Sequence, residues 1–157
     1  MTTRESPYGV LPEADLRLAT VMDADDVASL LTTLGYPCDR QDAANRILTI
    51  IENDRQTLVL ARGPDGAVSG LIALDFMYYL PLDTTTCRIT ALVVTPEAQG
   101  CGIGRQLLRE AERRARAAGA ARIELTSGSQ RTDAHKFYRD NKYSEGTVRF
   151  VKYLGAA

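Results

Sequence analysis

Histidine is almost missing from this chain, cysteine is sparse, and neither sign of charge prevails. His135 is the single histidine, and Cys38, Cys87 and Cys101 are the three cysteines. Their odd number, wide spacing and lack of a Cys-x-x-Cys or Cys/His pairing exclude a disulfide framework and a zinc site, so no metal is expected. A formal net charge of −1 gives no global basis for binding nucleic acid or an anionic membrane. No apolar run approaches the roughly 18 residues that a membrane span requires. The first residues lack the basic segment, apolar stretch and small-residue cleavage site of a secretion signal. A protein kept in the reducing cytoplasm is the expectation.

What remains is an ordinary globular composition, 45% hydrophobic and 25% charged over 157 residues, enough for one domain with a sizeable core. Residues 1–14 carry Pro7 and Pro12 without periodicity and read as a loose arm; residues 15–157 read as the single domain. Leu16 to Thr20 alternates like a strand. Asp23 and Asp26 suit a helix start ahead of Val27, Leu30, Leu31 and Leu34, and Asp39 and Asp42 suit a second before Ala43, Ile47, Ile50 and Ile51. Thr57 to Arg62 and Ala67 to Tyr78 form a hairpin about Gly63-Pro64-Asp65-Gly66. Asp83 to Thr86 reads as a turn, and Cys87 to Thr95 as the strand after it.

That strand delivers the most informative stretch, Leu92 to Arg105. A β-branched run stops at Pro96, a glycine-rich turn follows from Gln99 to Gly104, and an amphipathic helix with Ile103, Leu107, Leu108, Ala111 and Ala115 on one stripe begins at once. Unpartnered N–H groups and the helix dipole at such a terminus suit a phosphate or pyrophosphate. A Walker loop would end in Gly-Lys-Ser/Thr, but Arg105 and Gln106 follow Gly104. A dinucleotide fingerprint would place glycine where Arg105 stands. Beyond the helix lie a strand from Ala121 to Thr126, a short helix from Arg131 to Asp140, and an alternating segment from Gly146 to Leu154 that reads as a last strand.

The pattern Gln99-x-x-Gly102-x-Gly104 after an apolar strand, followed 30 residues beyond Gly104 by Ala134-His135-Lys136-Phe137-Tyr138 and then Asn141-Lys142-Tyr143, resembles the GNAT superfamily of N-acetyltransferases over Leu16 to Leu154. The resemblance implies an α/β (α+β) fold: a mixed, mostly antiparallel sheet of about six to seven strands with about four helices, in the order β-α-α-β-β-β-α-β-α-β. It implies acetyl-coenzyme A as cosubstrate, a primary amine as acceptor, and a homodimer. By the same resemblance Gln99, Gly100, Cys101, Gly102, Ile103, Gly104 and Arg105 form the pyrophosphate loop. Leu92, Val93 and Val94 would pair with the pantetheine arm, and Tyr138 matches the family's tyrosine near the thioester sulfur. A phenol there can protonate the departing thiolate, since the two pKa values lie close together.

Two positions depart from the family pattern. Arg131 stands where asparagine is usual and becomes a possible phosphate or acidic-substrate ligand; Cys101 stands where a basic residue is common. The amine's general base stays open between Asp75, Glu124, His135 and water, with His135 better suited to a surface or capping role. Cys101 sits at the pyrophosphate and not at the acetyl group, so direct transfer without a covalent intermediate is expected. The arginines of the long helix read as a solvated face with local salt bridges, Arg105 excepted. The alternative to an enzyme is a non-catalytic acyl-coenzyme A sensor with the same fold.

Overall fold

The computed structural model describes residues 14–155 apart from residue 129, so the expected arm, residues 1–14, lies outside the described residues but for Ala14. The chain divides into two compact units, residues 1–126 and residues 127–157.

The first unit holds a five-stranded sheet in the order β1-β2-β3-β4-β5. Its strands are β1 (Asp15–Leu18), β2 (Gln56–Arg62), β3 (Val68–Tyr79), β4 (Thr84–Val94) and β5 (Ala120–Leu125). Every pairing is antiparallel except that of β4 with β5, which is parallel and needs a crossover through helix α3 (Ile103–Ala117). Helices α1 (Ala24–Leu34) and α2 (Arg40–Ile51) lie between β1 and β2 in the chain. The strand expected to begin at Cys87 starts earlier, because the turn is made by Leu80–Leu82 and by Asp83 at φ 48°, leaving Thr84 to Thr86 on the ladder.

Local chemistry fixes the helix starts. Thr20 and Asp23 form a capping box ahead of α1, and the Asp39 carboxylate accepts from the Asp42 N–H at 2.8 Å to open α2. Val27, Leu30, Ala43 and Ile47 pack on Leu58, Leu60, Leu71 and Ala73 of one sheet face. Ile51, expected on the α2 stripe, is the last residue of that helix and is exposed. On α3, Leu107, Leu108, Ala111 and Ala115 are buried, as the sequence pattern predicts. Central strands covered on both faces account for the nearly continuous apolar runs in β2 and β3.

The second unit contains α4 (Thr132–Asp140), capped at its C-terminal end by a hydrogen bond from the Tyr143 N–H to the Tyr138 carbonyl, 2.9 Å. The expected final strand from Gly146 to Leu154 does not form: the segment has no ladder, and Val148, Phe150, Tyr153 and Leu154 are exposed. Alternating apolar residues specify a strand only where another strand accepts their backbone groups, and among the described residues none does. The observed order is therefore the expected one as far as α4.

Candidate active site

The site is built where β4 outruns β5. The parallel ladder ends at Ile89↔Leu125, whereas β4 continues beside β3 to Val94↔Gly70, so Thr90 to Val94 present one edge without a strand among the described residues. Part of the cause is a bulge: Ala73 pairs with Ala91 but Leu74 with Ile89, which leaves Thr90 unpaired and bends the strand. The Thr95 N–H donates to Ser69 O of β3 at 2.8 Å. Backbone groups of an antiparallel strand alternate sides, so Val93 faces β3 while Leu92 and Val94 turn their N–H and C=O to the open edge. The Gln99 amide confirms the direction by donating to Val94 O at 3.2 Å.

From this edge the chain passes through a short helical turn, Pro96–Ala98, into the glycine loop. Gly100 and Gly102 have φ of 81° and 84°, a conformation that costs a side-chain-bearing residue about 1 kcal/mol or more. Gly102 is the N-cap of α3 and supplies no side-chain acceptor, and the first turn carries no acidic residue. The N–H groups that open α3, from Ile103 onward, are thus left for an anion or water. Arg105 is exposed and has no charge partner among the described residues. Farther along the helix Arg109 pairs with Glu112, and Arg113 and Arg114 pair with Glu110. Cys101 is exposed on the loop.

Gly70 is a positioning residue that sequence reasoning missed. A Cβ there would lie 3.1 Å from Leu107 Cδ1, 3.2 Å from Ile103 Cγ2 and 3.2 Å from Val93 O. The first turns of α3 rest directly on its backbone, which sets the height of the glycine loop over the sheet. A lone glycine inside an apolar run is the only trace this left in the sequence.

In the second unit, Tyr138 packs against Phe137 at a centroid distance of 5.4 Å and against Tyr143 at 6.0 Å. Burial pushes its phenol above the ordinary tyrosine range, with the Arg131 charge opposing the shift. Arg131 is the exposed residue at the N-terminus of α4, and no side-chain hydrogen bond caps that helix. The ring of His135 lies 2.8 Å from Gly128 O, a bond that pins the preceding turn and fits the expected capping role. Leu92 to Arg105 therefore form one continuous stretch of the first unit, with Val93 and Ile103 buried, and Arg131, His135 and Tyr138 lie on α4 and its N-cap in the second.

The remaining acid–base candidates are on the sheet. Asp75 pairs with Arg55 at 3.5 Å and Glu124 with Arg122 at 3.3 Å. Cys87 is wholly buried; burial, with Asp75 adding to it, pushes its thiol up to about 11, so it is no nucleophile. No group of metal-ligating side chains occurs among the described residues, and no helix there is long and apolar enough to cross a membrane.

A sequence model of the acetyltransferase (GNAT) family matches residues 25–143. The aminoalkylphosphonate N-acetyltransferase of Salmonella typhimurium is 37% identical over 150 residues, covering 92% of this chain and 94% of that protein. Among solved structures, a GNAT family acetyltransferase of Staphylococcus aureus superposes with a TM-score of 0.78 at 25% identity, over 91% of this chain and all of that one. A protein of Bacillus halodurans described as a transcriptional regulator superposes with a TM-score of 0.82 at 22% identity, over 90% and 99%, which speaks to the fold alone.

Proposed function

The chain belongs to the acetyltransferase (GNAT) family and is an acyl-coenzyme A-dependent N-acetyltransferase; on that premise we propose that it moves the acetyl group of acetyl-coenzyme A directly to the primary amine of a small aminoalkyl phosphonate or a like anionic amine. The observation that carries the donor half is the open β4 edge followed, through the glycine loop, by an N-terminus of α3 that no side chain caps. The acceptor half rests on the Salmonella typhimurium relative.

Acetyl-coenzyme A brings an activated thioester and a thiolate leaving group. In this reading the N–H groups that open α3, with Arg105, hold the pyrophosphate, and Leu92 and Val94 hold the pantetheine amides. One of their N–H groups faces the thioester oxygen and stabilises the negative charge that gathers there during attack. Tyr138 keeps its proton at neutral pH, as a phenol with an ordinary pKa of about 10 does, and it gives that proton to the departing sulfur. The incoming ammonium loses its proton to Asp75, to Glu124 or to water. Cys101 stays outside the acyl transfer, and Arg131 contributes charge beside Tyr138. No metal takes part, and residues 15–157 act as one acetyltransferase domain. The protein works in the cytoplasm, and as a homodimer, the dimer being supported by the exposed apolar side chains of residues 148–154.

Calorimetric titration with acetyl-coenzyme A, with ATP and NAD titrated separately, tests the donor half. Selective binding of acetyl-coenzyme A is the expected result, followed by acetylation of aminoethylphosphonate in an amine panel. Equal binding of ATP or NAD would overturn the loop assignment.

A further inference from the structure

One row of side chains crosses the sheet one residue short of the end of the β4–β5 ladder. Gln56, Asp75, Arg88 and Glu124 are direct neighbours in the register of β2, β3, β4 and β5. Residues opposite one another on adjacent strands share a face. That face is the one on which Leu71 and Ala73, four and two residues before Asp75, meet α1 and α2.

Arg88 thus stands between two carboxylates, yet it pairs with neither. Asp75 is taken by Arg55 and Glu124 by Arg122, which also donates to Thr86 Oγ1 and lies 4.0 Å over the Tyr79 ring. The half-buried Arg88 guanidinium reaches instead along β5, where Nη2 donates to Thr126 Oγ1 at 3.3 Å. Among the described residues no carboxylate lies within ion-pair distance of it. A cation drawn partly out of water and bonded only to a neutral hydroxyl is a site short of one anion.

We infer that Arg88 binds the anionic group of the acceptor and is the residue by which the enzyme selects an anionic amine over a neutral one. A guanidinium offers paired N–H donors that match two oxygens of a phosphonate. The carboxylates of Asp75 and Glu124 flank it at the spacing of adjacent strands, about 4.8 Å, which a short aminoalkyl chain spans. An acceptor anchored this way would put its ammonium beside a carboxylate, one residue before Ile89↔Leu125 ends the ladder and the open β4 edge begins. This inference rests on the amine-acetyltransferase reading for its ligand class, but binding can be measured without turnover.

The experiment is calorimetric titration of the full chain and of its Arg88→Gln and Arg88→Lys variants with aminoethylphosphonate and with ethanolamine, each protein also titrated with acetyl-coenzyme A. Wild type should bind aminoethylphosphonate. Arg88→Gln should weaken that binding roughly ten- to hundredfold, the usual reach of hydrogen bonds to a charged group. Arg88→Lys should recover part of it, and acetyl-coenzyme A affinity should stay unchanged in both, which also reports that they fold. Undiminished phosphonate binding by Arg88→Gln, or ethanolamine bound by wild type as tightly as the phosphonate, would overturn the inference. Phosphonate binding that depends on Arg88 without any acetylation would sustain the anion site and sink the acetyl-transfer reading instead.

Discussion

Gly70 and Leu107 meet without a side chain between them: a Cβ on the strand residue would stand 3.1 Å from the helix residue's Cδ1 and 3.2 Å from Val93 O. The leucine methyl can give way, but the strand carbonyl cannot. Gly70→Ala should therefore lower stability by about 1–3 kcal/mol, the usual cost of overpacking. By lifting α3 it should also weaken acetyl-coenzyme A binding. Chemical denaturation alongside a binding titration checks both, and an alanine variant with wild-type values in each would show that α3 does not need this close seat.

Arg17 and Asp23 form a two-pronged ion pair, Nη1 to Oδ2 at 2.8 Å and Nη2 to Oδ1 at 2.6 Å, and the same carboxylate accepts from the Thr20 N–H at 2.8 Å. The Arg17 hydrogen bonds hold the Asp23 carboxyl below the usual carboxylate range, against the opposing effect of burial. A folded-state pKa below the unfolded one, about 3.9, contributes stability that is present above that pH and lost as pH falls through the folded value. Melting temperature should drop on acidification below about pH 4. Asp23→Asn should cost about 2 kcal/mol or more at neutral pH and flatten the acid limb; an unchanged limb in that variant would assign the acid sensitivity elsewhere.

Tyr138→Phe removes one hydroxyl and little packing. If the phenol protonates the thiolate, kcat should fall by a factor on the order of a hundred while the KM for acetyl-coenzyme A moves little. The upward shift of the Tyr138 phenol predicts that wild-type kcat holds until pH passes the ordinary tyrosine range near 10. Arg131→Ala removes the charge that opposes the shift, so the alkaline limb should move higher still. Rates measured across pH decide this, and a phenylalanine variant at full speed would remove Tyr138 from the chemistry.

The residues from Val148 to Leu154 expose apolar side chains, Phe150 at 93% of its free area. Light scattering should find a dimer, and Phe150→Glu combined with Val148→Lys should yield a monomer if this segment makes the contact. A wild-type monomer would dismiss the assembly.

Much of this architecture was legible in the sequence because local rules and tertiary contacts agree there. Ile103 to Ala117 reads as a helix from its stripe alone, and the Gly63 to Gly66 turn fixes the β2–β3 hairpin. The glycine loop was equally plain, since positive φ at Gly100 and Gly102 demands the residue that stands there. The Gly146–Leu154 segment misled, because alternation specifies a face and not the partner that a ladder needs. Gly70 and Arg88 were invisible for a different reason: one matters through what lies 3.1 Å away on another element, the other through a register that the Thr90 bulge displaces. Asp75 and Glu124 were singled out from the sequence as candidate bases; that they bracket an arginine follows only from the ladder.

The parallel pairing of β4 with β5 also orders events in time. The hairpins β2–β3 and β3–β4 close across short turns and can form early, whereas β5 reaches β4 only after the loop and all of α3 have been traversed. The end of the β4–β5 ladder comes into being only with that contact, which is far less local than either hairpin. A chain arrested with its antiparallel strands in place would have an open edge but no parallel ladder, no row through to Glu124 and no helix seated on Gly70. Cosubstrate should then recognise only the completed fold, so saturating acetyl-coenzyme A should slow unfolding and leave the early steps of refolding untouched.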